Sequence, residues 1–101
     1  NDGTISRLNE YTNAGAISRL SVIPYRFNKV ITAIRDGDGD LRFINWEIDT
    51  QGHIARLKSS DQKAGQIGLI EMSKLSDNRF ITTLQDGDED LLIISWEMLI
   101  S

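Results

Sequence analysis

Cysteine is absent from this 101-residue chain, and proline and histidine each occur once. Without a thiol there is no disulfide framework, no thiolate nucleophile and no Cys-ligated zinc or iron–sulfur centre. Long apolar runs are missing too. None approaches the roughly 20 residues needed to cross a bilayer, and no charged start followed by an apolar core marks a signal peptide. Basic residues are the minority, 11 against 15 acidic, for a formal net charge of −4. Neither nucleic acid nor a membrane surface is expected as a partner of such a chain, whereas a cationic partner is easier to accommodate.

What the chain has instead is an internal repeat. Gly3-Thr4-Ile5-Ser6-Arg7-Leu8 returns as Gly52-His53-Ile54-Ala55-Arg56-Leu57, and Ala14-Gly15-Ala16-Ile17 returns as Ala64-Gly65-Gln66-Ile67. The second linker gains one residue, and from there the register holds at fifty. Asn28 meets Asn78, Ile31-Thr32 meets Ile81-Thr82, Asp36-Gly37-Asp38 meets Asp86-Gly87-Asp88, and Trp46-Glu47 meets Trp96-Glu97. Several other pairs exchange one apolar residue for another, as Val22 with Met72, Val30 with Phe80 and Ile48 with Met98.

Each unit reads as four short strands. Residues 16–23 (strand a) and 29–35 (strand b) are β-branched or apolar runs bounded by Gly, Pro or Asn. In residues 41–48 (strand c), Arg42, Ile44, Trp46 and Ile48 fall on one face and Leu41, Phe43, Asn45 and Glu47 on the other, a period of two that no helix would show. Asp36-Gly37-Asp38-Gly39-Asp40 supplies a hairpin turn, and residues 53–57 form a short strand d. Four antiparallel strands in about fifty residues make one propeller blade. The expected fold is therefore all-β: a β-propeller with two four-stranded blades per chain.

The chain runs d, a, b, c, d, a, b, c. Residues 1–8 are expected to complete a neighbouring chain's blade, residues 14–57 to form blade 1, and residues 64–101 to form blade 2 with its fourth strand supplied in trans. Two blades cannot cover their own faces, so a cyclic homo-oligomer is expected. Propellers have about 4 to 8 blades. The six-bladed trimer is favoured over the eight-bladed tetramer, with a four-bladed dimer third.

Strand c ending in Trp46-Glu47 or Trp96-Glu97, then Asp49-Thr50-Gln51-Gly52 and a new strand, resembles the Trp-acidic ending of WD-type propeller blades. The resemblance covers nearly the whole chain. It implies a hydrogen-bonded group of a His before strand a, a Ser or Thr in strand b, an Asp in the b–c turn and the Trp of strand c. Thr32, Asp36 and Trp46, and in the second copy Thr82, Asp86 and Trp96, match the last three by position; Ala14-Gly15 and Ala64-Gly65 stand where a Gly-His pair would be. The family's function does not follow from these residues.

No catalytic residue is assigned. His53 aligns with Thr4, so the repeat does not require it, and Trp46 and Trp96 read as core residues whose N–H needs one acceptor. The candidate binding residues lie in the acidic turns, Asp36, Asp38, Asp40, Asp86, Asp88 and Asp90, and in the first linker, Tyr11 and Asn13. Alternating Asp resembles the start of a calcium loop. Asp and Gly are equally what hairpins use, so no metal and no cofactor is expected. Arg7 and Arg56 are expected to pair with a neighbouring blade's carboxylate or to cover apolar surface with their stems.

The function expected is a non-enzymatic binding or scaffold module that assembles with itself, its ligand a protein, peptide or glycan. A lectin-like glycan-binding propeller is one alternative, and a propeller fragment excised or designed without a ligand is another.

Overall fold

The structure, a computed structural model, describes residues 2–12, 15–62 and 66–99. Seven antiparallel strands form two sheets, and the described residues contain no helix. The first sheet is β1 (Arg19–Arg26), β2 (Lys29–Arg35), β3 (Leu41–Ile48) and β4 (Ile54–Gln62), in that spatial order. The second is β5 (Ile70–Ser76), β6 (Arg79–Gln85) and β7 (Leu91–Glu97). Both are antiparallel meanders, compatible with blade-like β structure.

Strand a starts and ends three residues later than the sequence pattern predicts. Pro24 explains the later end: a residue without an N–H is tolerated on an edge strand, so β1 runs through it, with a break in register between Pro24 and Arg26. The d strand is longer than expected. Residues 58–62, read as a polar linker, continue β4 and pair with β3 after a shift between Asn45 and Trp46. Ladder hydrogen bonds to a neighbouring strand need no apolar side chain, so the polar sequence concealed the extension.

The two sheets repeat one register. Val30 pairs with Trp46 and Thr32 with Ile44, as Phe80 pairs with Trp96 and Thr82 with Ile94. Because side chains alternate between faces, each sheet has two distinct sides. One side of the first sheet, carrying Ile23, Tyr25, Ile31, Ala33, Leu41 and Phe43, lies on the side of the second that carries Ile70, Met72, Phe80, Leu84, Leu92, Ile94, Trp96 and Met98. Strands β1 and β5 are the closest pair across this seam, and the Met72 N–H donates to Ser21 Oγ at 3.2 Å. The aromatic centre of the seam is a trio. Phe43 meets Phe80 edge-on at 5.3 Å and Trp96 at 4.9 Å, while Phe80 stacks on Trp96 at 6.5 Å.

Tyr25 is buried in this core, whereas Phe27 beside it is exposed.

Removing the ring of Phe43 leaves a cavity between both sheets and strips one aromatic partner from each of Phe80 and Trp96. Phe43→Ala is expected to lower the unfolding free energy by about 3–5 kcal/mol, read as a fall in the urea midpoint with little change in the slope.

Candidate functional site

The indole of each Trp is fixed by the strand beside it. Trp46 Nε1–H donates to Thr32 Oγ1 at 2.9 Å, and Trp96 Nε1–H donates to Thr82 Oγ1 at 2.9 Å. The Thr32 hydroxyl in turn reaches the Ile44 carbonyl at 3.5 Å. Thr82 is fully buried, so it supplies the one acceptor an indole requires when taken out of water. Two members of the four-residue group implied by the WD-type resemblance are thus bonded, and in both copies.

The third, the Asp, serves its own turn. Asp36 Oδ1 accepts the N–H groups of Asp38 at 2.9 Å and Asp40 at 3.1 Å, and Asp86 Oδ1 accepts those of Asp88 and Asp90, both at 2.9 Å. Backbone bonds from Asp36 N–H to the Asp40 carbonyl and from Gly39 N–H to the Asp36 carbonyl close the hairpin, and the second copy repeats them. The position that needs a left-handed backbone is Gly39 in one copy, at φ 84°, and Glu89 in the other, at φ 67°. Carboxylate oxygens of Asp86, Asp88 and Asp90 lie within 4.8 Å of one another. One oxygen of Asp86 is already committed to two amides, the geometry of an Asx turn. The fold brings both acidic turns to one rim. Ile67 N–H donates to the Gly39 carbonyl at 3.1 Å, which holds residue 66 beside both turns.

The turn into β4 is built the same way. Asp49 Oδ1 accepts the N–H groups of Gln51 and His53, both at 2.9 Å, and Oδ2 lies 3.0 Å from His53 Nδ1. Chiefly the His53 N–H holds this carboxyl below the usual range, with smaller contributions from the His53 ring and the Gln51 N–H. His53 therefore belongs to a turn.

A cleft of about 240 Å³ opens along the seam between the sheets, lined by Phe43, Phe80 and Trp96 on its apolar side and by Asn45, Lys58 and Glu97 among its polar groups. Sequence reading passed over Asn45, Lys58 and Phe80 because a strand extension and a change of sheet bring them together; the only signal for Lys58 was its place after strand d. Tyr11 lies outside this cleft. Its ring meets Trp46 edge-on at 4.9 Å, on the opposite side of the first sheet. Asn13 lies outside the described residues. The candidate residues are therefore split between two places: the acidic turns share a rim, and Tyr11 lies on the outer side of the first sheet. Arg56 bonds Ser59 Oγ, and Arg7 faces Glu10 at 3.6 Å; these are contacts within the same segment of chain.

Two blade-like antiparallel sheets packed face to face define the class of fold. No protein-family model, curated protein or solved structure matches the chain.

Two outcomes follow. Thr82→Val deletes the acceptor of Trp96 Nε1–H in a buried place and should cost about 1–3 kcal/mol, whereas Thr82→Ser, which keeps the oxygen, should cost less; urea denaturation of both variants checks this. Asp49 is exposed and its folded pKa is depressed, so its contribution is complete at neutral pH and is lost as pH falls through the lowered value. In Asp49→Asn the urea midpoint should fall less steeply with acidification than in the wild type.

Proposed function

We propose that the chain is a non-enzymatic scaffold, a pair of propeller blades that closes head to tail with copies of itself into a six-bladed ring of three chains. One observation carries this reading. The two outer faces of the blade pair carry the repeat counterparts of the residues that meet in its internal seam. On the second sheet, Leu75, Leu91 and Ile93 occupy the repeat positions of Tyr25, Leu41 and Phe43. Leu41 is wholly buried in the seam, and Leu91 is 71% exposed. On the first sheet, Leu20 and Val22 occupy the positions of Ile70 and Met72. Ile70 is 6% exposed and Leu20 57%. A second copy stacked as the second sheet stacks on the first would cover both sets. Such a heterologous contact closes when its rotation divides the circle.

The ring would repeat the acidic turns around one rim and the seam clefts around its wall, presenting several copies of one shallow site to a partner. The cleft also favours a second reading, glycan binding, since aromatic rings beside Asn45, Lys58 and Glu97 suit an amphipathic sugar. A glycan array probed with the assembled chain separates the two.

Light scattering after gel filtration tests the ring. A mass of three chains is expected, dissociating on dilution; a stable folded monomer would overturn the assembly, and a mass of four chains would replace six blades by eight.

A further inference from the structure

The second sheet has three strands, and no described residue pairs with the outer edge of β7. In the first sheet β4 fills that place. Residues 3–8 repeat the start of β4, yet in the chain they form no strand, and Ile5 is 95% exposed. A flat edge with an apolar face is a template for a strand from elsewhere.

The segment is already held near such a place. The Leu8 side chain lies across the backbone of Gly52, where a Cβ would come within 2.6 Å of it, and Asn9 Oδ1 accepts the Ile54 N–H at 3.4 Å. Tyr11 sits on Trp46. Its repeat counterpart Ser60 lines the cleft with Trp96, the counterpart of Trp46. Residues 8–11 therefore stand to the first sheet as β4 stands to the second. A neighbouring blade stacked on the first sheet would find this segment beside its open edge, as β7's equivalent, β3, finds β4.

We propose that residues 3–12 of one copy add to β7 of a second copy as the fourth strand of its blade, in the register by which β4 adds to β3. That register is fixed by the pairs Ile48↔Ile54, Glu47↔Ala55, Trp46↔Arg56 and Asn45↔Lys58, with Leu57 as the extra residue. Carried over by the repeat, it pairs Met98 with Ile5, Glu97 with Ser6, Trp96 with Arg7 and Ser95 with Asn9, leaving Leu8 as the bulge. The inference rests on the head-to-tail ring and specifies how its chains are joined. Its occupant is a second copy because the added strand continues, across chains, the seam already seen within one.

The absence of cysteine makes the register directly readable. Directly opposed residues bring their Cα atoms within disulfide reach, whereas an offset of two residues along the strand takes them beyond about 7 Å. Under oxidised glutathione, Ser6→Cys with Glu97→Cys, and separately Asn9→Cys with Ser95→Cys, should convert the chain to reducible covalent trimers, while Thr4→Cys with Glu97→Cys should leave it mostly uncrosslinked. All these positions are exposed, so the variants should fold. Trimers by light scattering with no crosslink in either matched pair, or with equal crosslinking in the offset pair, would overturn the strand addition and leave the ring standing. Monomers by light scattering would overturn the ring itself, and an intrachain link in a monomer would overturn both.

Discussion

A sheet that is apolar on both faces must be covered twice, and everything else in this structure depends on that requirement. A strand in a two-layer protein alternates between core and solvent. Here β3 cannot, because Leu41 and Phe43 on one side and Ile44 and Trp46 on the other all need cover. The second sheet covers the first side through the seam around Phe43, Phe80 and Trp96. On the other side Tyr11 lies against Trp46, and Leu20 and Val22 remain exposed. Burial at about 25 cal/mol per Å² makes open faces of this kind a standing drive toward association.

Within each sheet the polar groups serve to hold that geometry. The Thr–Trp hydrogen bonds span β2–β3 and β6–β7, orienting a ring that would otherwise be free to rotate into the gap between sheets. The Asx turns at Asp36 and Asp86 fix where each third strand begins, and therefore which of its residues face the seam. At the other end, the Asn28 and Asn78 carbonyls accept the N–H groups of Ile48 and Met98, tying the last residues of the third strands back to the first turns. Repetition of these devices in both copies explains why two sheets with many different side chains share one register.

The blade pattern was legible because its signals are local. Strand c showed the period of two, the Asp-Gly turns showed the hairpins, and the fifty-residue repeat showed that one solution is used twice. The Trp positions were also readable as core, with an N–H that needs one acceptor, and the WD-type resemblance pointed to the Thr that supplies it. The length of β4 was not readable. Lys58, Ser59 and Ser60 pair with β3 through their backbones, which leaves no trace in hydropathy. The seam cleft was hidden for a related reason: Lys58 and Trp96 are distant in sequence and meet only once both sheets exist. The end of β1 was misread because Pro24 looks like a boundary when the strand's role as an edge is unknown.

The repeat is also imperfect in a way that orders events. The seam inside the chain has Tyr25, Phe43, Phe80 and Met72 where the proposed seam between chains would have Leu75, Ile93, Val30 and Val22. Each aromatic pair contributes about 0.5–1.5 kcal/mol beyond its buried area, so the inner seam is the stronger of the two. Arg42 in place of Leu92 adds a charge to the outer face, 3.8 Å from the Asp36 carboxylate. In the proposed ring, the chain would therefore fold first as a pair of blades, and association would follow as a weaker, concentration-dependent step. Copies with identical seams everywhere would have no such preference, and partial arrays begun at any blade would compete with the closed ring. Larger side chains at the inner seam would make the blade pair the unit from which the proposed ring is built.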